Sequence, residues 1–202
     1  MEIIDFFRFN SKLLASTFQA HPINLDKQNE NSKLFDYHKL IIGDYEGINF
    51  PVVFKQHYGN KFQDVLDTGH AGLFLISDRM NSILNDNSLT GWKTFPIKLL
   101  NKNDIEITGY YGFSVIGRCG PVDYSKCKII EKQLVPNSPI SKYYKGLYIG
   151  LDEWDGSDFF LPKNTFGTVI SSKAAEILKK NKLTNIQLTN LAEIEKSVWE
   201  VT

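Results

Sequence analysis

A chain of 202 residues with 42% apolar, 13% aromatic and 23% charged residues has the make-up of a packed protein, able to bury roughly 70% of its unfolded surface. Its 23 basic residues cancel its 23 acidic ones, and only three of the basic ones are arginine (Arg8, Arg79 and Arg118). That balance argues against nucleic acid or an anionic membrane as partner, since both are held by excess positive charge and the first leans on arginine.

In chain order, Ile3-Ile-Asp-Phe-Phe-Arg-Phe9 reads as an edge strand and the polar stretch 21–33 as a loop. Met1-Glu-Ile-Ile-Asp5 lacks the basic start, apolar run and cleavage site of a signal peptide, and no apolar run approaches the ~20 residues that cross a bilayer. The expected location is the cytoplasm. Leu40-Ile-Ile42 and Ile48–Phe54 read as strands, with Pro51 confining the second to an edge, a bulge or a strand start.

Phe74-Leu-Ile-Ser77 reads as a buried strand ending in a helix-capping serine. Met80, Ile83 and Leu84 then share one helical face, and Asn87 suits a left-handed stop. Trp92–Ile97 resumes extended structure. Residues 76–90 align without gaps on residues 170–184, and seven of the fifteen pairs are identical: Ile76/Ile170, Ser77/Ser171, Ile83/Ile177, Leu84/Leu178, Asn87/Asn181, Leu89/Leu183 and Thr90/Thr184. The identities fall on the last strand residue, the cap, the core-facing pair, the stop and the return turn. That pattern predicts a duplicated strand–helix–strand module, 73–99 and 167–193, within a single domain spanning 1–202.

Between the copies, Ile105–Ile116 alternates as a strand, with Ile129–Leu134 a candidate to pair with it. The Pro136–Pro139 stretch is a break, followed by strands at 146–151 and 157–161. Asn190-x-x-Glu193 resembles a capping box opening a last helix over 190–200. The expected fold is α+β, a mixed or antiparallel sheet with two equivalent helices against it.

Few constellations suggest chemistry. Cys119 and Cys127 fit no zinc spacing and have no histidine near them in sequence, so both are expected to be reduced thiols without a metal. Asp64, Asp67 and His70 could meet on one helical turn, but equally form a short helix stopped by Gly69. Phosphate-cradling, dinucleotide, nucleophile-elbow and zinc-protease motifs are all missing, and neither a catalytic residue nor a cofactor is expected. Asp152-Glu-Trp-Asp-Gly-Ser-Asp158 is the densest acidic stretch, with ligand spacing wrong for calcium. It reads either as a solvated turn or as a partner-facing patch. In the second reading Asp152, Glu153, Asp155 and Asp158 surround Trp154 as an anchor, and Tyr143 and Tyr144 lie across the Pro139 break.

Asp64-Val-Leu66, Phe74–Met80 and Leu89-Thr-Gly-Trp92 resemble bacterial immunity-protein families of polymorphic toxin systems. The likeness continues through Gly109–Val115, Val122–Ser125, Trp154–Phe160 and Val169-Ile-Ser171, covering about residues 60–190. The resemblance implies a cytoplasmic protein that binds and blocks a cognate toxin without catalysis, and it carries over no functional residues. An interaction module unrelated to toxins, or an enzyme whose site is assembled from distant residues, are the alternatives.

Overall fold

The computed structural model describes residues 2–12, 14–23, 37–133, 135–136, 139–165 and 167–198. The fold is mixed α+β. The first half holds β1 (Phe6–Ser11), β2 (Gln19–Pro22), helix α1 (His38–Ile42), β3 (Val52–Tyr58), β4 (Val65–Asp67), β5 (Phe74–Ser77), helix α2 (Asp78–Asp86), β6 (Trp92–Phe95), β7 (Ile97–Leu100) and β8 (Glu106–Ile107). The second holds β9 (Tyr110–Val115), β10 (Gly117–Cys119), β11 (Lys128–Lys132), β12 (Ser141–Lys145), β13 (Phe159–Pro162), β14 (Val169–Ser171), helix α3 (Ser172–Lys180), β15 (Ile186–Asn190) and β16 (Glu195–Ser197).

Two arrays carry the core. One is a five-stranded sheet in the order β10-β13-β14-β1-β15, and the other runs β6-β9-β5-β4-β2 and continues through β3, β7 and β8. Position for position, β2-β4-β5-β9-β6 follows the same plan as β10-β13-β14-β1-β15. In each, the first pair is parallel and the next three are antiparallel. The register agrees as well: Val65 faces Ile76 as Phe159 faces Ile170, Ser77 faces Tyr110 as Ser171 faces Phe6, and Trp92 faces Val115 as Ile186 faces Ser11. From the fourth strand of each array the chain passes straight into the first strand of the other array, β1 to β2 and β9 to β10.

Both nine-residue helices start and stop alike. The Ser77 and Ser171 hydroxyls accept from the amides of Met80 (3.1 Å) and Ala174 (3.2 Å), answering amides that the first turn leaves unpaired. Leu84 and Leu178 are buried, while Ile83 and Ile177 are half-buried. Asn87 and Asn181 do not take the left-handed conformation; their φ values are −97° and −82°. The turn comes one residue later, at Ser88 and Lys182, both at φ 49°. Each asparagine instead donates its side-chain amide back to Ile83 or Ile177, and the amides of Leu89 and Leu183 reach Leu84 and Leu178 to close the helix.

A carboxylate locks each helix start to the turn that leaves the other helix. Asp64, 7% exposed, accepts from the Ser77 hydroxyl (2.9 Å), Arg79 (2.7 Å) and the amide and hydroxyl of Thr184 (both 2.8 Å). Asp158, equally buried, accepts from the Ser171 hydroxyl (2.8 Å), Lys173 (3.2 Å) and the amide of Thr90 (3.1 Å). Buried carboxylates persist where every lone pair is answered, and these two are answered in the same way. Arg79 and Lys173 thus do the same work despite the change of residue.

Several expectations give way. β1 is not an edge strand but lies between β14 and β15, because its alternate phenylalanines have a core on both faces. Leu40-Ile-Ile42 belongs to α1, which Gly43 closes at φ 74°, and its burial explains a strand-like composition. Residues 65–67 are a strand, not a helix stopped by Gly69. β11 pairs with β12 rather than with β9. Of 146–151, Ile149 makes a single bridge to Val122 and no strand forms. The last helix is one 3-10 turn over Leu191–Glu193, capped by Asn190, because the carbonyls of Leu191 and Ile194 turn out to accept from Leu147 and Gly146. The loop expected at 24–33 and the 137–138 part of the Pro136–Pro139 break lie outside the described residues.

Candidate functional site

The acidic turn is held mostly by its own contacts. Leu151–Glu153 forms a 3-10 turn that delivers Trp154 inward, edge-on to Phe6 with ring centroids 5.3 Å apart and with its indole N–H donating to the Ser157 carbonyl (3.2 Å). Burial pushes the Asp155 carboxyl up, but hydrogen bonds from Ser157 and the Arg118 amide outweigh it and hold the group below its usual range. Asp158 is spent on the lock above Thr90. Trp154, half-buried, packs against Phe6 and Phe160, and Asp158 is buried in the lock. Asp152 and Glu153 stay exposed, with Glu153 paired to Lys163.

Arg118, Cys119 and Asp64 serve the fold. The Arg118 guanidinium donates to the carbonyls of Val115 (2.7 Å), Gly117 (2.8 Å) and Ile42 (2.9 Å). Burial pushes the Cys119 thiol up to about 12, with Asp155 and Glu153 adding to the effect, which keeps it protonated and non-nucleophilic. Cys119 and Cys127 are both free thiols. Asp64 serves the lock, whereas Asp67 accepts from Ser11 (2.9 Å) and the Gly69 amide (2.8 Å), so the two do not converge with His70. Among the described residues no group of three or more His, Cys, Asp or Glu is placed to hold a metal.

What the structure adds is a cleft of about 820 Å³ on the outer face of β1, a volume usual for ligand and segment recognition. Its floor is Arg8 and Asn10, side chains that alternate with the core-facing Phe7 and Phe9. One wall is apolar, with Val122, Leu147, Ile149, Leu191 and Ile194 among its residues. Asn164, Thr165, Gln187 and Lys196 supply hydrogen-bonding groups around it. Both carboxylates in the lining are already engaged, Asp67 as above and Glu195 by Lys132. Arg8 is exposed and makes no hydrogen bond or ion pair among the described residues. The sequence signal for it was a lone arginine inside Phe-Phe-Arg-Phe, a charge where strand alternation puts one open position.

The small sheet β11-β12-β16 borders this cleft. Tyr124, in the lining, packs on Tyr144 with centroids 5.1 Å apart and accepts from Lys196 Nζ (3.2 Å). On the other side Lys163, the partner of Glu153, sits between the lining residues Pro162 and Asn164. Tyr144 and Glu153 thus each contact a residue in or next to the lining, while Tyr143 faces Ile130 and Ser197 across the small sheet.

No helix among the described residues is long and apolar enough to cross a membrane. A family model described as the immunity protein family Imm11 matches residues 9–193. A search of curated proteins gave no match.

Proposed function

The chain belongs to the Imm11 immunity protein family, and from that premise we propose that it binds a cognate bacterial toxin in the cytoplasm and blocks it without catalysis. Family membership across most of the chain carries this reading. We place the contact at the mouth of the cleft on β1, with Tyr143 and Tyr144 on one rim and Asp152 and Glu153 on the other. Trp154 and Asp158 support that surface from within, and the exposed Asp155 lies between them in the turn. An open, pre-formed recess beside half-buried tyrosines is what a protein partner can use at low ordering cost.

The experiment is co-expression with the toxin domain encoded by the neighbouring gene. The wild type is expected to restore growth and to co-purify with the toxin at one to one. Continued toxicity without any complex would overturn the reading in favour of an interaction module unrelated to toxins.

We further propose that residues 6–95 and 110–190 are two copies of one module, larger than the 73–99 and 167–193 units visible in sequence, and that each lends its first strand to the other's sheet. The shared strand order, shared register and reciprocal Asp64 and Asp158 locks support it. The halves 1–103 and 104–202, expressed apart, are expected to be unfolded singly and to regain structure on mixing. Two halves that each fold alone would rule out the exchange.

A further inference from the structure

We propose that the β1 cleft takes an acidic segment of the partner protein, with a partner carboxylate paired to Arg8; this rests on the toxin-binding reading. The placement of Arg8 is the first argument. It stands on the fourth strand of a five-stranded sheet, flanked by Val169 and Thr189, on the same face as the buried Phe6. A guanidinium carries five donors in a fixed fork that matches a carboxylate, and here none is used within the described residues.

The second argument is the charge around it. Asp67 and Glu195 are the acidic groups in the lining; Glu195 is ion-paired with Lys132, and Asp67, held by the neutral donors Ser11 and the Gly69 amide, offsets one of the two cations Arg8 and Lys196, which leaves the lining with a positive excess. Lys196 reaches the Tyr124 hydroxyl and, among the described residues, no carboxylate. The adjoining small sheet continues the same sign. Asp123, Glu131 and Glu195 form ion pairs with Lys126, Lys142 and Lys132; Lys145 faces Glu195 on one side and Lys128 on the other, and Lys128 has no carboxylate partner among the described residues. Like charges directly opposite on a sheet repel, an arrangement relieved by an acidic partner. Exposed Ile129 and the Tyr144 ring lie on that sheet, giving apolar contact next to the charge.

A protein segment fits better than nucleic acid. The lining is largely aliphatic (Val122, Leu147, Ile149), and its aromatic residues are Tyr124 and the almost fully buried Phe74, too little for bases to stack on. Asn10, Asn164 and Gln187 offer both donors and acceptors, as an extended backbone requires.

The test compares wild type, Arg8→Gln and Arg8→Glu. Melting temperatures are expected to be unchanged, since Arg8 has no partner among the described residues. Affinity for the neighbouring toxin domain should fall about tenfold or more in Arg8→Gln and about a hundredfold or more in Arg8→Glu, and a compensating acid-to-lysine change in the toxin should rescue the latter. Protection by Arg8→Glu equal to wild type would overturn the cleft proposal and leave the immunity reading standing. If the wild type itself gives no protection, that reading fails, and a second measurement decides the cleft. The Arg8 Nε–H signal is followed by NMR while an alternating Glu-Tyr octapeptide, a Lys-Tyr octapeptide or a single-stranded oligonucleotide is added. A saturable shift with the acidic peptide alone supports the proposal; no shift, or a shift with the oligonucleotide in its place, overturns it.

Discussion

The outer faces of the two arrays differ although their strands match in order and register. In the first, Tyr110, Gly112 and Ser114 of β9 take the positions that Phe6, Arg8 and Asn10 of β1 take in the second. Over Gly112 lies the Phe95 ring, so close that an added Cβ would stand 2.0 Å from it, and Ser114 bonds to the Leu40 carbonyl and to Tyr45 (2.9 Å). Helix α1, Tyr45 and Phe50 complete the lid. Over Arg8 and Asn10 lies the cleft. One framework thus gives a closed face, where each side chain is committed, and an open face with an unmatched cation. The open one is where recognition is expected.

Breaking the locks that hold the arrays together should cost most. Asp64→Ala leaves the Ser77 hydroxyl and the Thr184 amide and hydroxyl without their acceptor, with an expected loss of about 3–5 kcal/mol in denaturant unfolding. Asp158→Ala should lose a similar amount, and the double variant should lose the sum of the two, since the locks share no partner. A single loss under about 1 kcal/mol would remove the locks from the account.

Leu84→Ala and Leu178→Ala should each cost about 2–5 kcal/mol by opening a cavity under the paired helices. Unequal losses would show which helix the core depends on more. Gly112→Ala should cost about 1–3 kcal/mol by overpacking against Phe95, whereas Arg8→Ala on the matching position of the open face should be within about 0.5 kcal/mol of wild type. Equal losses at the two positions would contradict the contrast between the faces.

The smallest effect is on pH. His21 stacks on His57 at 4.1 Å and lies 6.4 Å from His70. Burial, then the charges of His57 and His70, hold its pKa below 6.5, against the opposing pull of Asp67. A histidine with a depressed folded pKa binds fewer protons than the unfolded chain. Its contribution is therefore whole above about pH 6.5 and declines as the pH falls below that value. Unfolding midpoints from pH 8 to 5 should show a shallower acid loss in His21→Gln; an identical slope would remove His21 as the cause.

Helix starts and buried leucines were legible because Ser77, Ser171, Leu84 and Leu178 follow local rules of capping and period. The stop was missed by one residue, since an asparagine can close a helix through its side chain as well as its backbone. The exchange of β1 and β9 between arrays was not legible: β1 pairs with Val169–Ser171 and Ile186–Asn190 at the other end of the chain, and β9 passes over β7 and β8 to pair with β5 and β6. Asp158 misled for a related reason: charge density in Asp152–Asp158 is visible in sequence, but the Thr90 turn that buries it is not. Tyr144 and Glu153 of the proposed surface were found by composition, while Arg8 needed the strand's outer face to be seen uncovered.

The most direct test of the account is hydrogen exchange on the protein alone and bound to the neighbouring toxin domain. Protection is expected to grow at residues 6–11, 122–124 and 186–197, around the cleft, and to stay unchanged at 38–50, over the closed face. Protection confined to 38–50, or to the turn at 151–158 without the cleft, would contradict it.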